Sequence, residues 1–358
     1  MRWNDSTATV VGIGSCLPDR VLDNDDVIAR GSLDTSGTWI RSRTGIGRRR
    51  YVPPGVSTGD LAVAAGAAAM RSAGTVPDLV LLATTTPDHH CPATAPAVAH
   101  RLGLDGAPAF DLSAVCSGFV YGLVTATALL RAGACNTPLV IGAETYSAII
   151  DPHDRETAPL FGDGAGAVVL RAGPPGAPGA VRAADLGSDG SGDQLIVIPG
   201  GGSRHPPHSC TGPSDPYFRM RGRAVYAHAV RRMTDSARRV LREAGWPASS
   251  VRAFIGHQAN QRILDSVADR LGIDARHRYG NIGELGNTAA ASIPLVLADD
   301  GVHASLEPGC RTLLTAFGGG LTWASAALTW PAAAPCHRPA APGTGSPSAH
   351  LLHGRSPS

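Results

Sequence analysis

Asp111-Leu-Ser-Ala-Val-Cys-Ser-Gly-Phe-Val-Tyr-Gly122 joins two patterns in one short stretch. Residues 108–112 are mainly apolar and read as the end of a buried strand. From Phe119 onward, apolar residues recur at helical spacing through Leu123, Ala126 and Leu130. Cys116 therefore lies where a strand gives way to a helix. Unpaired N–H groups and the positive end of a helix dipole at such a place are expected to stabilise a thiolate and lower its pKa. Ala114, Ser117 and Gly118 are small enough to let a substrate approach the sulfur. A buried structural cysteine is the competing reading, and the remainder of the chain decides between them.

The chain has 358 residues, enough for one large or two fused domains around a sizeable core. It is 43% hydrophobic and 17% charged, with a net charge of +2. That balance gives no reason to expect nucleic acid or a membrane as partner. Every basic residue of the Lys and Arg class is Arg, which excludes lysine-dependent Schiff-base chemistry. Seven cysteines (Cys16, Cys91, Cys116, Cys135, Cys210, Cys310 and Cys336) are scattered without a CxxC pair. An odd, dispersed set argues for a reducing compartment and against a disulfide framework or structural zinc. No signal-peptide pattern or bilayer-length apolar run is present, so a cytoplasmic chain is expected.

Apolar, β-branched runs predict strands at 7–17, 79–85, 138–143, 165–170, 181–186, 194–198, 251–255, 311–317 and 322–328. Helical patterns cover 57–73, opened by Ser57 or Thr58, and 93–102, 218–244, 258–271 and 288–297. This alternation implies an α/β architecture with internal sheets covered by helices. GPPGAPG at 173–179 breaks the composition and divides the chain. The expected organisation is a first half over 1–172, a linker at 173–180, a second half over 181–330 and a disordered tail over 331–358. The two halves carry elements in similar order, which hints at duplication.

Three further motifs carry chemistry. His257, in Gly256-His-Gln-Ala-Asn260, follows a predicted strand, where loops of α/β folds place functional groups. Asn287 immediately precedes a run of small residues and also reads as a helix N-cap. Ala316-Phe-Gly-Gly-Gly-Leu-Thr-Trp323 is a glycine turn that reads as a hairpin or as backbone N–H groups facing a ligand.

Together DLSAVCSGFVYG, HQANQRI, GNTAAASIP and FGGGLTW resemble the β-ketoacyl-acyl carrier protein synthase III group of thiolase-like condensing enzymes. WIRSRTGI and FGDGAGAVVL add to the likeness, and all six stand in family order across nearly the whole chain. The resemblance implies a five-layered fold of two similar halves, and a homodimer. It implies Cys116 as the nucleophile that takes an acyl group from acyl-CoA, with backbone N–H groups of Cys116 and Gly319 as the oxyanion hole. His257 and Asn287 would hydrogen-bond the thioester oxygen of malonyl-acyl carrier protein as it loses carbon dioxide. No metal or redox cofactor is implied.

By position, the resemblance implies CoA contacts at Trp39, Arg43, Arg155, Gly222 and Asn260. It implies docking of an acidic carrier protein at Arg221, Arg223 and Arg262, although Ala227 stands where some relatives carry a basic residue. These arginines read equally as a solvated face. Cys91 replaces a phenylalanine common in acetyl-primed relatives and implies an acyl pocket for a longer or branched primer. His89, His90 and Cys91 are adjacent and do not easily converge on one metal ion. The alternative activity on the same acyl-cysteine is transfer to a hydroxyl or amine, which relatives with a carboxylate at the Asn287 position perform.

Overall fold

The described residues of this computed structural model are 6–206 and 215–339, so Cys210 and the expected tail beyond residue 339 fall outside them. The first half builds β1 (Thr7–Leu17), β2 (Leu79–Ala83), β3 (Ala109–Leu112), β4 (Pro138–Thr145) and β5 (Asp163–Gly173). The second builds β6 (Val181–Ser188), β7 (Ala253–Gly256), β8 (Arg311–Gly318) and β9 (Thr322–Thr329). β10 (Pro335–Pro339) returns to the first sheet. β2 and β4 are buried at every residue, which is why they read as continuous apolar runs rather than alternating ones.

The first sheet is ordered β10-β1-β5-β4-β2-β3 and the second β7-β8-β9-β6. The run β1-β5-β4-β2 is matched by β6-β9-β8-β7. In each, two antiparallel pairings stand beside one parallel pairing. The duplication that the sequence only hints at is explicit in this topology. It extends to the turns between the sheets. A 3₁₀ turn at Val115–Ser117 leads into helix Gly118–Arg131, and a 3₁₀ turn at Ala289–Ala291 leads into helix Ser292–Leu297. Each turn opens on a non-glycine residue in left-handed backbone, Val115 at φ 49° and Ala289 at φ 44°.

Helices Thr58–Ala73 and Thr94–Arg101 cover the outer face of the first sheet, and Gly222–Ala244 and Gln261–Leu271 that of the second. The helices after the twin turns lie between the sheets, where Phe119, Leu123, Ile293 and Leu314 share one buried cluster. This is the five-layered α/β arrangement of two similar halves. Local chemistry sets the helix ends as expected: Ser57 and Asp60 form a reciprocal capping box, and Gly74 ends that helix at φ 60°.

Several expectations need correction. The long helix begins at Gly222 rather than 218, because Arg219–Met220 pairs with Ile196–Val197 as a short ribbon. The expected strand at 194–198 shrinks to those two residues after a 3₁₀ turn at Gly190–Leu195. The residues between β5 and β6 are held by bonds from Val10 N–H to Gly179 O and from Gly179 N–H to Thr329 O. Disorder from residue 331 does not hold as far as 339, because β10 pairs in parallel with β1. Its prolines are tolerated because the strand lies on the sheet edge. His337 fixes it further, 2.7 Å from Ser15 Oγ and 3.0 Å from Asp300.

Candidate active site

Cys116 stands in the first of the twin turns, 8% exposed. The glycine loop of the second half is built against it: a Cβ on Gly318 would lie 2.8 Å from Cys116 N. Only glycine permits that approach. Thr322 ties the loop to the same turn, donating to Ala114 O at 3.0 Å and meeting Ser117 Oγ at 2.7 Å. Gly319, buried beside Ile196, follows at the surface of this contact. The expected lowering of the Cys116 pKa is not what these surroundings produce. Burial first, and the Glu144 charge second, push the thiol well above its ordinary value, and its own backbone N–H opposes them less strongly. The resting form is the thiol.

His257 follows β7 directly and is 3% exposed. Burial lowers its pKa to about 3, so the ring is neutral at working pH. Its Nδ1 lies 2.7 Å from Ser292 Oγ, and the same oxygen accepts the Gln258 N–H at 3.3 Å. With the Ser292 proton directed to Nδ1, Nε2 carries the ring proton and is a donor. Asn287 is 5% exposed, and its Oδ1 accepts the Ala289 N–H at 2.9 Å. Its remaining amide group is therefore the NH₂, also a donor. Asn287 caps the turn rather than the helix Ser292–Leu297.

Cys116, His257 and Asn287 line one inner cavity of about 40 Å³, walled by Phe161, Phe218 and Met220. Tyr146 stacks on Phe161 at 4.4 Å, and Phe218 stands edge-on to both. Outside this cavity lies a cleft of about 570 Å³ that also reaches Asn287. It is lined by all five expected CoA contacts: Trp39, Arg43, Arg155, Gly222 and Asn260. Trp39 is 41% exposed, with the guanidinium of Arg155 at 5.1 Å and that of Arg43 at 5.9 Å from its ring centre. Arg223 and Arg262 are exposed at the same cleft, whereas Arg221 lines a neighbouring groove. Cys91 is exposed and lines neither the inner cavity nor the cleft, so one chain does not bring it to Cys116.

Comparison with known proteins agrees with this geometry. The family described as 3-oxoacyl-[acyl-carrier-protein (ACP)] synthase III matches residues 110–190, and its C-terminal family matches 241–330. A β-ketoacyl-[acyl-carrier-protein] synthase III of Streptomyces coelicolor is 58% identical over 335 residues, 93% of this chain and 97% of that one. The chain belongs to the β-ketoacyl-[acyl-carrier-protein] synthase III family. A family member from Pseudomonas aeruginosa is 51% identical over 92% of this chain and 98% of its own. The crystal structure of a Pseudomonas aeruginosa 3-oxoacyl-(acyl carrier protein) synthase III has a TM-score of 0.85 at 49% identity, covering 92% of this chain and 100% of that one. The priming β-ketosynthase of a polyketide pathway gives 0.82 at 34% identity, covering 92% and 98%.

Two polar residues of this synthase III site escape sequence reasoning. Ser292, the His257 partner, looks like one more small residue in GNTAAASIP. Glu144 sits at 0% exposure on β4, and burial pushes its carboxyl up to about 7 against the donors that hold it. A lone carboxylate inside PLVIGAET was the available signal, since a charge in a fully covered strand must be satisfied by something.

Proposed function

We propose that this chain condenses an acyl-CoA primer with malonyl-acyl carrier protein through an acyl-thioester on Cys116. The observation that carries the reading is the single inner cavity shared by Cys116, His257 and Asn287, opening beside a cleft that presents Trp39 between two arginines. An exposed indole flanked by guanidinium groups suits a purine.

In the first half-reaction the Cys116 sulfur attacks the thioester carbonyl and gives up its proton. The N–H groups of Cys116 and Gly319 hold the oxyanion, and CoA leaves with the proton. In the second, the carboxyl C–C bond of the malonyl group breaks and carbon dioxide departs. Its electron pair becomes an enolate, whose oxygen accepts hydrogen bonds from His257 and Asn287. The enolate carbon attacks the acyl-cysteine and the sulfur leaves. The departing thiolate takes one proton from solvent to return to the thiol, and with that proton the cycle balances without a metal or redox cofactor. Two neutral donors suit this step, because they stabilise the developing charge without being acidic enough to protonate the enolate before it attacks.

We place the enzyme in the cytoplasm with its substrates; no described helix is long and apolar enough to cross a membrane. Arg221, Arg223 and Arg262 would meet the acidic carrier protein around the cleft. We propose a homodimer paired at the free edge of β3, where Phe110 is 40% exposed. Each subunit would then lend its Cys91 loop to the other's acyl pocket. The inner cavity is small, about 40 Å³, so a primer longer than acetyl would use the room that a small residue at Cys91 leaves.

The test measures the half-reactions separately. Intact mass after mixing with a panel of acyl-CoAs reads Cys116 acylation, and carbon dioxide release from malonyl-acyl carrier protein reads decarboxylation. Cys116→Ala gives no adduct. Asn287→Ala keeps acylation and loses at least ~100-fold in condensation, the scale of one oxyanion donor. Acylation without carbon dioxide release in the wild type would turn the reading to transfer onto a hydroxyl or amine. Strict acetyl preference would count against the role given to Cys91.

A further inference from the structure

Glu144 is enclosed, and its two oxygens face two different segments. Oε2 accepts the Thr85 N–H at 3.0 Å, the Thr86 hydroxyl at 3.0 Å and the Thr84 hydroxyl at 3.4 Å. Oε1 accepts the Ala290 N–H at 3.4 Å. Gly142 lies two residues earlier and so on the same face of β4. A Cβ there would come 2.4 Å from the Ala290 carbonyl oxygen. The strand thus receives Ala290 through both of its backbone polar groups, one by a hydrogen bond and one by the absence of a side chain.

Ala290 is the middle of the Ala289–Ala291 turn, which opens in left-handed backbone at φ 44°. A non-glycine residue held there costs energy and persists only where its surroundings over-determine it. What the turn carries is the donor pair of the site. At its start the Ala289 N–H fixes which end of the Asn287 amide is free. At its end Ser292 holds His257.

We propose that Glu144 is a positioning residue for decarboxylation, pinning the Ala289–Ala291 turn so that the Asn287 amide and the His257 ring address one thioester oxygen together. The inference rests on the roles given above to Asn287 and His257. It concerns the second half-reaction specifically, because the anchored turn carries the enolate donors and not the sulfur. Replacement by Gln preserves size but turns one accepting end into a donor. Either the Ala290 N–H or the threonine donors then lose their acceptor.

The experiment compares wild type, Glu144→Gln and Gly142→Ala as full chains, using the acyl-CoA that wild type takes best. Gly142→Ala displaces the same turn without altering the carboxylate. In Gly142→Ala, Cys116 acylation stays within about twofold; in Glu144→Gln it does not fall, because losing the charge that raises the Cys116 thiol only eases thiolate formation. In both, kcat for carbon dioxide release falls at least ~10-fold at unchanged KM for malonyl-acyl carrier protein. A purely structural role lowers both half-reactions alike, and that result in Glu144→Gln, or in Gly142→Ala should the first not fold, overturns the proposal. Unchanged carbon dioxide release overturns it too. A wild type that acylates but releases no carbon dioxide instead removes the condensing assignment, and this proposal with it.

Discussion

Cys116 waits as a thiol because its enclosure and the Glu144 charge outweigh what a helix terminus offers. Thiolate therefore forms only as attack proceeds or at high pH. In the free enzyme the rate of Cys116 carboxamidomethylation by iodoacetamide should climb about tenfold per pH unit through pH 9, since the thiolate fraction rises that way below the pKa. A plateau below pH 8.5 would show an activated thiolate instead. The motif around Cys116 was readable because its information is local: a strand end, small residues, a helix start. Ser292 and Glu144 were not, because their meaning lies in partners 35 residues away for Ser292 and 146 residues away for Glu144. Nothing in AAAS or GAET announces those contacts.

At the scale of elements, long strands and capped helices were legible, and the pieces closing the edges were not. β1 runs over Thr7–Leu17 as its β-branched pattern predicts. The ribbon Ile196–Val197 with Arg219–Met220 has too few residues for any periodicity. It is held from outside its own strands: Arg219 reaches Asp215 at 2.7 Å, Asp151 at 3.1 Å and Asp154 at 3.4 Å. β10 hides behind its prolines, which signal disorder in isolation and an edge strand once β1 is beside it. Ending the chain after Ala334 removes that pairing and the His337 links. The melting temperature should fall by about 5 °C, the scale of a couple of kcal/mol in a chain of this class. Both half-reactions should keep their rates, because no β10 residue lines the inner cavity or the cleft. An unchanged melting temperature would show that the strand contributes nothing to stability.

At the scale of the molecule, β3 ends its sheet with no further strand beside it among the described residues, and Phe110 is exposed on it. Such an edge invites pairing, and a second copy is the partner that would also deliver Cys91. Light scattering should give the wild type about twice the chain mass of 36.6 kDa, and Phe110→Asp the mass of one chain with condensation lost. A wild type at 36.6 kDa would leave each acyl pocket to one chain. The order of the halves was legible, but their equivalence was not, because pairing order persists where residue identity does not.

Within each chain that equivalence already makes a dimer of a different kind. The turns Val115–Ser117 and Ala289–Ala291 pack together between the sheets, so Cys116 and Ala290 hold matching places in matching backbone. One copy of the unit supplies sulfur and the other supplies the hydrogen-bond donors, and a methyl group stands where a second sulfur would have been. The proposed reaction centre is a seam: neither half, folded by itself, would hold both the sulfur and its donors.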